Sequence, residues 1–278
     1  MRRRHFLGAL AAAPFAAYAA DKPIDGGPFV PTPWVILDEM IKLAEVRAND
    51  VVVDLGAGDG RLVIAAAKRF GARGFGVERD ATLVQYANRQ AASEKVAERV
   101  KFLQGDVFAA DVRGATVVTL YLLPRLVEKL VPKLRAELPA GARIVSHDYA
   151  LKPWPADKTL IFDVEEKAHI NGTTQTTLYY YVVPARIGGR WRLELPDEPP
   201  LALTIEQEPD RLEGVARAAE RSHALRDLSV RGDTIRFSLL LAGRLVDFRG
   251  KVSGATMAGD TRSRGDSGKW SARVDSGA

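Results

Sequence analysis

The residues best placed to do chemistry stand in one run, Asp54-Leu55-Gly56-Ala57-Gly58-Asp59-Gly60, just after Val51-Val52-Val53 and just before a helical stretch. Glycines at alternate positions let the backbone turn tightly and let a ligand come close. A helix that starts after such a turn offers free N–H groups and the positive end of its dipole to a carboxylate or phosphate. The next strand ends at Glu78, eighteen residues beyond Gly60. A carboxylate there can bond a ribose diol. A third strand leads into Gly105-Asp106-Val107-Phe108, where a carboxylate can accept a hydrogen bond from an adenine amino group.

Two ligand readings compete for the loop. A dinucleotide site wants G-x-G-x-x-G, which would put glycine at position 61, and this chain has Arg61. The acidic lead residue Asp54 and the G-x-G-x-G spacing match the loop that binds S-adenosylmethionine (SAM). Acidic residues at three successive strand ends make the second reading the more specific one.

These residues need a scaffold of alternating strands and helices. Residues 51–55, 74–78, 100–103, 116–122, 142–146, 160–164 and 176–183 read as strands, and 34–46, 61–70, 81–92 and 126–138 as helices. That alternation implies an α/β fold with a doubly wound, mainly parallel sheet covered on both faces. Residues 34–184 would form this domain. After residues 184–189 the texture changes to alternating apolar and polar residues over 191–195, 201–207, 212–216, 225–230, 234–241, 245–252 and 270–274. Gly232-Asp233, Ala242-Gly243 and Ser253-Gly254 separate several of them, so 185–278 reads as a small antiparallel all-β domain curled into a sandwich or partial barrel. A length of 278 residues suits two modest domains. No cysteine is present, which excludes disulfides, thiolate zinc sites and a cysteine nucleophile. No metal-ligand pattern is visible.

Four segments together resemble a known family: Phe29-Val30-Pro31-Thr32-Pro33, the loop from Asp54 to Arg61, residues 115–124 (ATVVTLYLLP) and Arg143-Ile144-Val145-Ser146-His147-Asp148-Tyr149. Over about residues 29–184 the chain resembles the small seven-strand protein-lysine methyltransferases, which include an archaeal broad-specificity enzyme and the mitochondrial enzyme acting on the ATP synthase c-subunit. The resemblance implies SAM as methyl donor and a Rossmann-like sheet of order 3-2-1-4-5-7-6, with the last strand antiparallel. It implies that the Pro-Thr-Pro segment folds over the cofactor. Carried onto this chain, the cofactor contacts are Asp54, Gly56, Gly58, Glu78 and Asp106, with Asp59 in the same loop and Thr32 and Pro33 nearby.

Methyl transfer needs a positioned, deprotonated nucleophile shielded from water. Tyr121 and residues 122–124 stand at the end of the fourth strand, where enzymes that methylate nucleic-acid amino groups often carry an N-P-P-Y type motif. Tyr-Leu-Leu-Pro replaces it here, which counts against adenine or glutamine-amide methylation. His147 and Asp148, ending the fifth strand, would join Tyr121 at the cleft mouth; His147 could equally be a strand-end histidine bonded to backbone. His169 and His223 have no supporting cluster. Residues 179–181 (Tyr-Tyr-Tyr) read as strand packing rather than a cage, Trp34 as helix packing or cleft lining, and the basic residues 61–79 as a solvated face.

Residues 1–20 (MRRRHFLGALAAAPFAAYAA) place a basic start before a short apolar stretch and a small-x-small site at Ala17-Tyr18-Ala19. That is the layout of a secretory signal, too short to span a bilayer, and Arg3-Arg4-His5-Phe6-Leu7 resembles a twin-arginine export motif. Residues 21–33 would be an extended lead-in. Export to the periplasm is the expectation, with a retained membrane anchor or a cytoplasmic location as alternatives. Without Arg2, Arg3 and Arg4 the net charge of +5 falls to +2, so bulk charge gives no strong nucleic-acid signal. The expected partner is a protein or a small amine; the oligomeric state is open. A small-molecule methyltransferase, or a non-catalytic exported binding protein on a vestigial fold, are the other readings.

Overall fold

The computed structural model describes residues 29–196, 198–218 and 221–275, and the backbone alone at 170 and 171. Residues 1–20, read above as an export signal, and 21–28 of the expected lead-in lie outside the described residues.

A seven-stranded sheet contains β1 (Val51–Leu55), β2 (Arg73–Glu78), β3 (Val100–Gln104), β4 (Val117–Leu120), β5 (Arg143–His147), β6 (Lys158–Asp163) and β7 (Gln175–Val182). Its order is β3-β2-β1-β4-β5-β7-β6, as the resemblance implied. β1 to β5 pair in parallel, and β7 runs antiparallel to both β5 and β6. The helices are α1 (Trp34–Leu43), α2 (Arg61–Phe70), α3 (Ala81–Ser93), α4 (Pro124–Glu137) and α5 (Glu165–Asn171). β1 is apolar on both faces because both are covered: Val53 and Leu55 join the core under α4, and Val52 joins the core under α1 and α2. Each such side chain contributes about 1.5–3 kcal/mol on burial. Asp80 caps α3, accepting from Thr82 N–H (2.7 Å) and Leu83 N–H (3.3 Å).

α5 was not expected. Its inward residue is Lys167, not an apolar stripe, so helical periodicity carries no trace of it. β6 begins two residues earlier than its apolar run, and most of its side chains are exposed.

The second sheet has nine strands: β8 (Gly189–Glu194), β9 (Leu201–Gln207), β10 (Leu212–Ala218), β11 (Arg221–Ala224), β12 (Arg226–Arg231), β13 (Thr234–Leu241), β14 (Arg244–Ser253), β15 (Thr256–Ser263) and β16 (Asp266–Val274). Their order is β11-β10-β9-β8-β16-β15-β14-β13-β12, with every pair antiparallel. One core joins residues from most of the strip, from Trp191 on β8 to Ile235 on β13, so the sheet curls around it. Leu225 N–H donates to Gly214 O (2.8 Å), bringing the far end of the strip beside β10. Phe237 stacks on Phe248 (4.5 Å between centroids), and Trp270 meets both edge-on.

β11 and β15 were missed. β15 turns Met257, Gly259 and Thr261 toward one face, and only the first is a large apolar residue. The glycine there is a packing requirement. Gly250, Gly259 and Trp270 sit in one row across β14, β15 and β16. A Cβ on Gly250 would lie 2.6 Å from the Trp270 ring, and one on Gly259 would lie 2.0 Å from Arg249 O.

The two sheets meet at the amino-terminal edge of the parallel strands. Ala185 N–H donates to Gly232 O (2.7 Å), Arg186 to Ala136 O (2.6 Å), and Arg231 to Asp157 (2.9 Å). Gly232 packs against Gly141, which precedes β5. The glycine loop lies at the opposite, carboxyl-terminal edge, so the β-sheet is no lid over it.

Candidate active site

β1 delivers Asp54 to the carboxyl edge of the sheet, where its side chain is buried and accepts from Thr119 Oγ1 on β4 (2.7 Å). Burial pushes the Asp54 carboxyl up to about 7; the Thr119 hydrogen bond opposes this, and the Glu78 and Asp59 charges add to it. The loop that follows turns through Gly56 (φ +88°) and Gly58 (φ +55°), conformations that favour glycine. Val77 O on β2 accepts from Gly56 N–H (2.9 Å) and Ala57 N–H (3.0 Å). Glu78 fixes the other side: Oε2 accepts from Gly58 N–H (3.0 Å), and Oε1 from Arg79 N–H (2.7 Å) and Asp80 N–H (3.0 Å). Asp106 follows β3, exposed, and accepts from Phe108 N–H (2.9 Å). Asp54, Glu78 and Asp106 therefore stand at three neighbouring strand ends around one glycine turn.

Residues 29–33 lie across this turn. The Phe29 ring sits where a side chain on Gly58 would be, since a Cβ there would be 2.2 Å from it. Arg61, the first residue of α2, binds Asp59 through Nε (2.9 Å) and Nη2 (2.5 Å) and donates from Nη1 to Thr32 O (2.8 Å). Its guanidinium also lies 5.1 Å from the Trp34 ring centroid. Thr32 borders the cavity with Asp54, Gly56 and Tyr121, and Pro33 is buried at the start of α1. The donor set suits SAM: a glycine turn for close approach, carboxylates for hydroxyl and amino donors, and an acid to face a cationic group. SAM supplies an electrophilic methyl group on a sulfonium.

Tyr121, after β4, forms the cavity wall, and His147 stacks on it with centroids 3.9 Å apart and planes 30° from parallel. His147 differs from both sequence readings. It is fully buried, not at the cleft mouth, and neither ring nitrogen has a hydrogen-bond partner among the described residues. Burial pushes its pKa down to about 4, the Lys167 charge adds to this, and Asp148 opposes it. The imidazole is thus neutral at pH 7, and the 3.5 Å between Nε2 and Asp148 Oδ2 is not an ion pair.

Asp148 adopts φ +62°, unusual for a non-glycine residue. Its Oδ1 accepts from Thr177 N–H (3.2 Å) and from the Lys167 ammonium (2.8 Å). Lys167 also bonds Gln175 O. The sequence singled out Tyr121, His147 and Asp148, and the structure brings them together. It passed over Lys167, took Phe29 only as part of the Phe-Val-Pro-Thr-Pro segment, and read Arg61 as part of a solvated face; Arg61 instead is 23% exposed and grips Asp59 and, across twenty-nine residues, Thr32 O, a contact no local pattern shows. Tyr180 and Tyr181 pack the strand, with Tyr181 Oη accepting from Leu151 N–H (2.8 Å). Trp34 is half exposed. No helix among the described residues is long and apolar enough to cross a membrane.

Comparison with known proteins bears on the activity. A family model described as the ANTKMT methyltransferase domain matches residues 54–158. A protein-lysine N-methyltransferase of Saccharolobus islandicus is 37% identical over 157 residues, which are 56% of this chain and 93% of that protein. A lysine N-methyltransferase of Rattus norvegicus, named for the ATP synthase c-subunit, is 33% identical over 48% of this chain, which spans only 60% of the rat protein. A solved structure described as an RNA methyltransferase from Salinibacter ruber, in complex with S-adenosyl-L-homocysteine, is 46% identical. It covers 57% of this chain and 96% of its own, with a TM-score of 0.51. With the seven-stranded order and the glycine turn, these place the chain in the family of the ANTKMT methyltransferase domain and its lysine N-methyltransferase relatives: it is a SAM-dependent methyltransferase.

Proposed function

We propose that the chain transfers the methyl group of SAM to the side-chain amine of a lysine in a protein. The observation that carries this reading is the wall beside the glycine turn: Tyr121 stacked on a buried, neutral His147, followed by Leu122, Leu123 and Pro124. An amine nucleophile must arrive without its proton, and Tyr121, backed by the uncharged His147, offers it an aromatic face rather than a carboxylate. This wall has no carboxamide like that of an N-P-P-Y motif to orient an exocyclic base amine. Tyr121 would contact the acceptor. His147 positions Tyr121, and Asp148 holds the turn that ends β5. The named activity of the archaeal relative, which this chain spans almost fully, supports a protein acceptor.

The Salinibacter ruber relative supports a second reading, an RNA acceptor, because it is described as an RNA methyltransferase and its identity is the higher of the two. One experiment separates them. The purified chain is incubated with SAM labelled on the methyl group and an extract holding protein, RNA and small metabolites. Label that survives nuclease and yields methyl-lysine after protein hydrolysis supports the proposal. Label lost to nuclease sinks it in favour of RNA, and label confined to the low-mass fraction favours a small amine.

For the N-terminal residues 1–20 we propose an export address. N-terminal sequencing of the protein from fractionated cells tests it: a mature start near Asp21 in the periplasmic fraction supports export, and an intact Met1 in the cytoplasm refutes it.

A further inference from the structure

Arg61 occupies a costly position. A cation on the first residue of a helix meets the positive end of the helix dipole. Asp59 offsets this with a two-pronged ion pair, largely out of solvent at 23% and 16% side-chain exposure for Arg61 and Asp59. The pair alone would explain an arginine paired to its neighbour. It does not explain why the remaining nitrogen reaches Thr32 O (2.8 Å), twenty-nine residues earlier, with Trp34 beside the guanidinium.

The segment so held is a strap over the cofactor turn. Thr32 and Val30 line the cavity that also contains Asp54 and Gly56, and Phe29 rests on Gly58. With the strap down, the cavity is about 40 Å³. That is room for only a few water molecules, at about 10–15 Å³ each, so the turn is covered where residues 29–33 cross it. At the outer end of the strap Phe29 is 45% exposed.

We propose that Arg61 is the latch of this strap. By gripping Asp59 and the Thr32 carbonyl together, it closes residues 29–33 over the glycine turn and sets how long cofactor and product stay bound. Arg61 is a positioning residue and does not touch the transferred methyl group. The fork geometry matters because two grips on different segments are needed at once. A lysine carries the charge but cannot make the planar two-sided contact.

The test compares release of S-adenosyl-L-homocysteine from the full chain by stopped flow, with Arg61→Ala and Arg61→Lys. The expected result is release about tenfold faster in Arg61→Ala, the size of one lost charge-assisted hydrogen bond, and an intermediate rate in Arg61→Lys. The KM for SAM rises by more than kcat falls. Amide hydrogen exchange of residues 29–34 quickens in Arg61→Ala while that of β1, β4 and β5 does not. Unchanged release and exchange in folded Arg61→Ala overturn the latch. Full rescue by Arg61→Lys also overturns it, because charge alone would then suffice. If Arg61→Ala does not fold, Arg61→Lys decides: wild-type release refutes the latch, and faster release with quickened exchange at 29–34 supports it.

Discussion

Tyr121 and His147 stack face to face, 3.9 Å apart, with Tyr121 toward the cofactor cavity and His147 wholly behind it. The pair joins the ends of β4 and β5, neighbouring strands in the sheet. His147 has both ring nitrogens unpartnered among the described residues, an arrangement that costs about 1–3 kcal/mol per buried polar group. The cost falls on the wall where the acceptor amine must arrive. Replacing Tyr121 by Ala should lower kcat by about tenfold or more through lost orientation, with little change in S-adenosyl-L-homocysteine affinity by calorimetry. Loss of affinity without loss of kcat would move Tyr121 from the acceptor side to the cofactor side.

His147 also makes a pH prediction. Its folded pKa, about 4, lies below its ordinary value of 6.5. Between these values the unfolded chain takes up a proton that the folded chain refuses, so its effect on stability is absent above pH 6.5 and turns unfavourable as pH falls toward 4. The full effect is up to about 3 kcal/mol. His147→Phe keeps the ring stack and removes the titration. Its unfolding midpoint should exceed that of the wild type by more at pH 5 than at pH 7.5. A constant difference would show that His147 does not titrate in this window.

Asp54 acts in the opposite sense. Its pKa rises from 3.8 to about 7, so the folded chain holds a proton that the unfolded chain has lost, and the carboxylate costs stability as pH rises through this window. Asp54→Asn should raise the thermal midpoint of the ligand-free protein at pH 8, because an amide oxygen still accepts from Thr119. The same variant should lose most SAM affinity, since it cannot supply a negative charge to a cationic ligand. A less stable Asp54→Asn protein would contradict the assignment of strain to this carboxylate.

Lys167 is 2% exposed and holds Asp148 in its left-handed turn. Lys167→Met leaves that carboxylate without its cation, at a cost of about 3 kcal/mol or more. Adding Asp148→Asn should recover part of the loss, because asparagine tolerates a positive φ and still accepts from Thr177 N–H. Denaturant unfolding of the two single variants and the double variant measures the coupling; strictly additive losses would mean that the two side chains stabilise the fold independently.

Gly259→Ala tests the separation of the two sheets. Its Cβ would meet Arg249 O at 2.0 Å and Gly250 Cα at 2.4 Å, so β14 and β15 must part. The expected loss is about 3 kcal/mol in the C-terminal sheet, with S-adenosyl-L-homocysteine affinity unchanged because that sheet meets the opposite edge of the parallel strands. A matching fall in affinity would show that the two sheets act as one cooperative unit.

What the sequence determined by itself is local and periodic. The run at residues 51–55 announces a strand buried on both faces, and the glycines after it announce a turn whose φ values only glycine adopts readily. Glu78 and Asp106 were legible because a parallel sheet puts every strand end on one edge, so spacing alone aligns them with Asp54. The tertiary structure alone decided what those residues touch. Thr32 meets Arg61 across twenty-nine residues, Lys167 meets Asp148 from a helix with no apolar stripe, and Gly250 leaves room for the Trp270 indole two strands away. Such contacts reflect shape and charge matched between distant segments, which leave no period in the chain. The same holds for the position of the β-sheet: alternation foretold its strands, but only packing at Gly141 and Gly232 set it away from the cofactor.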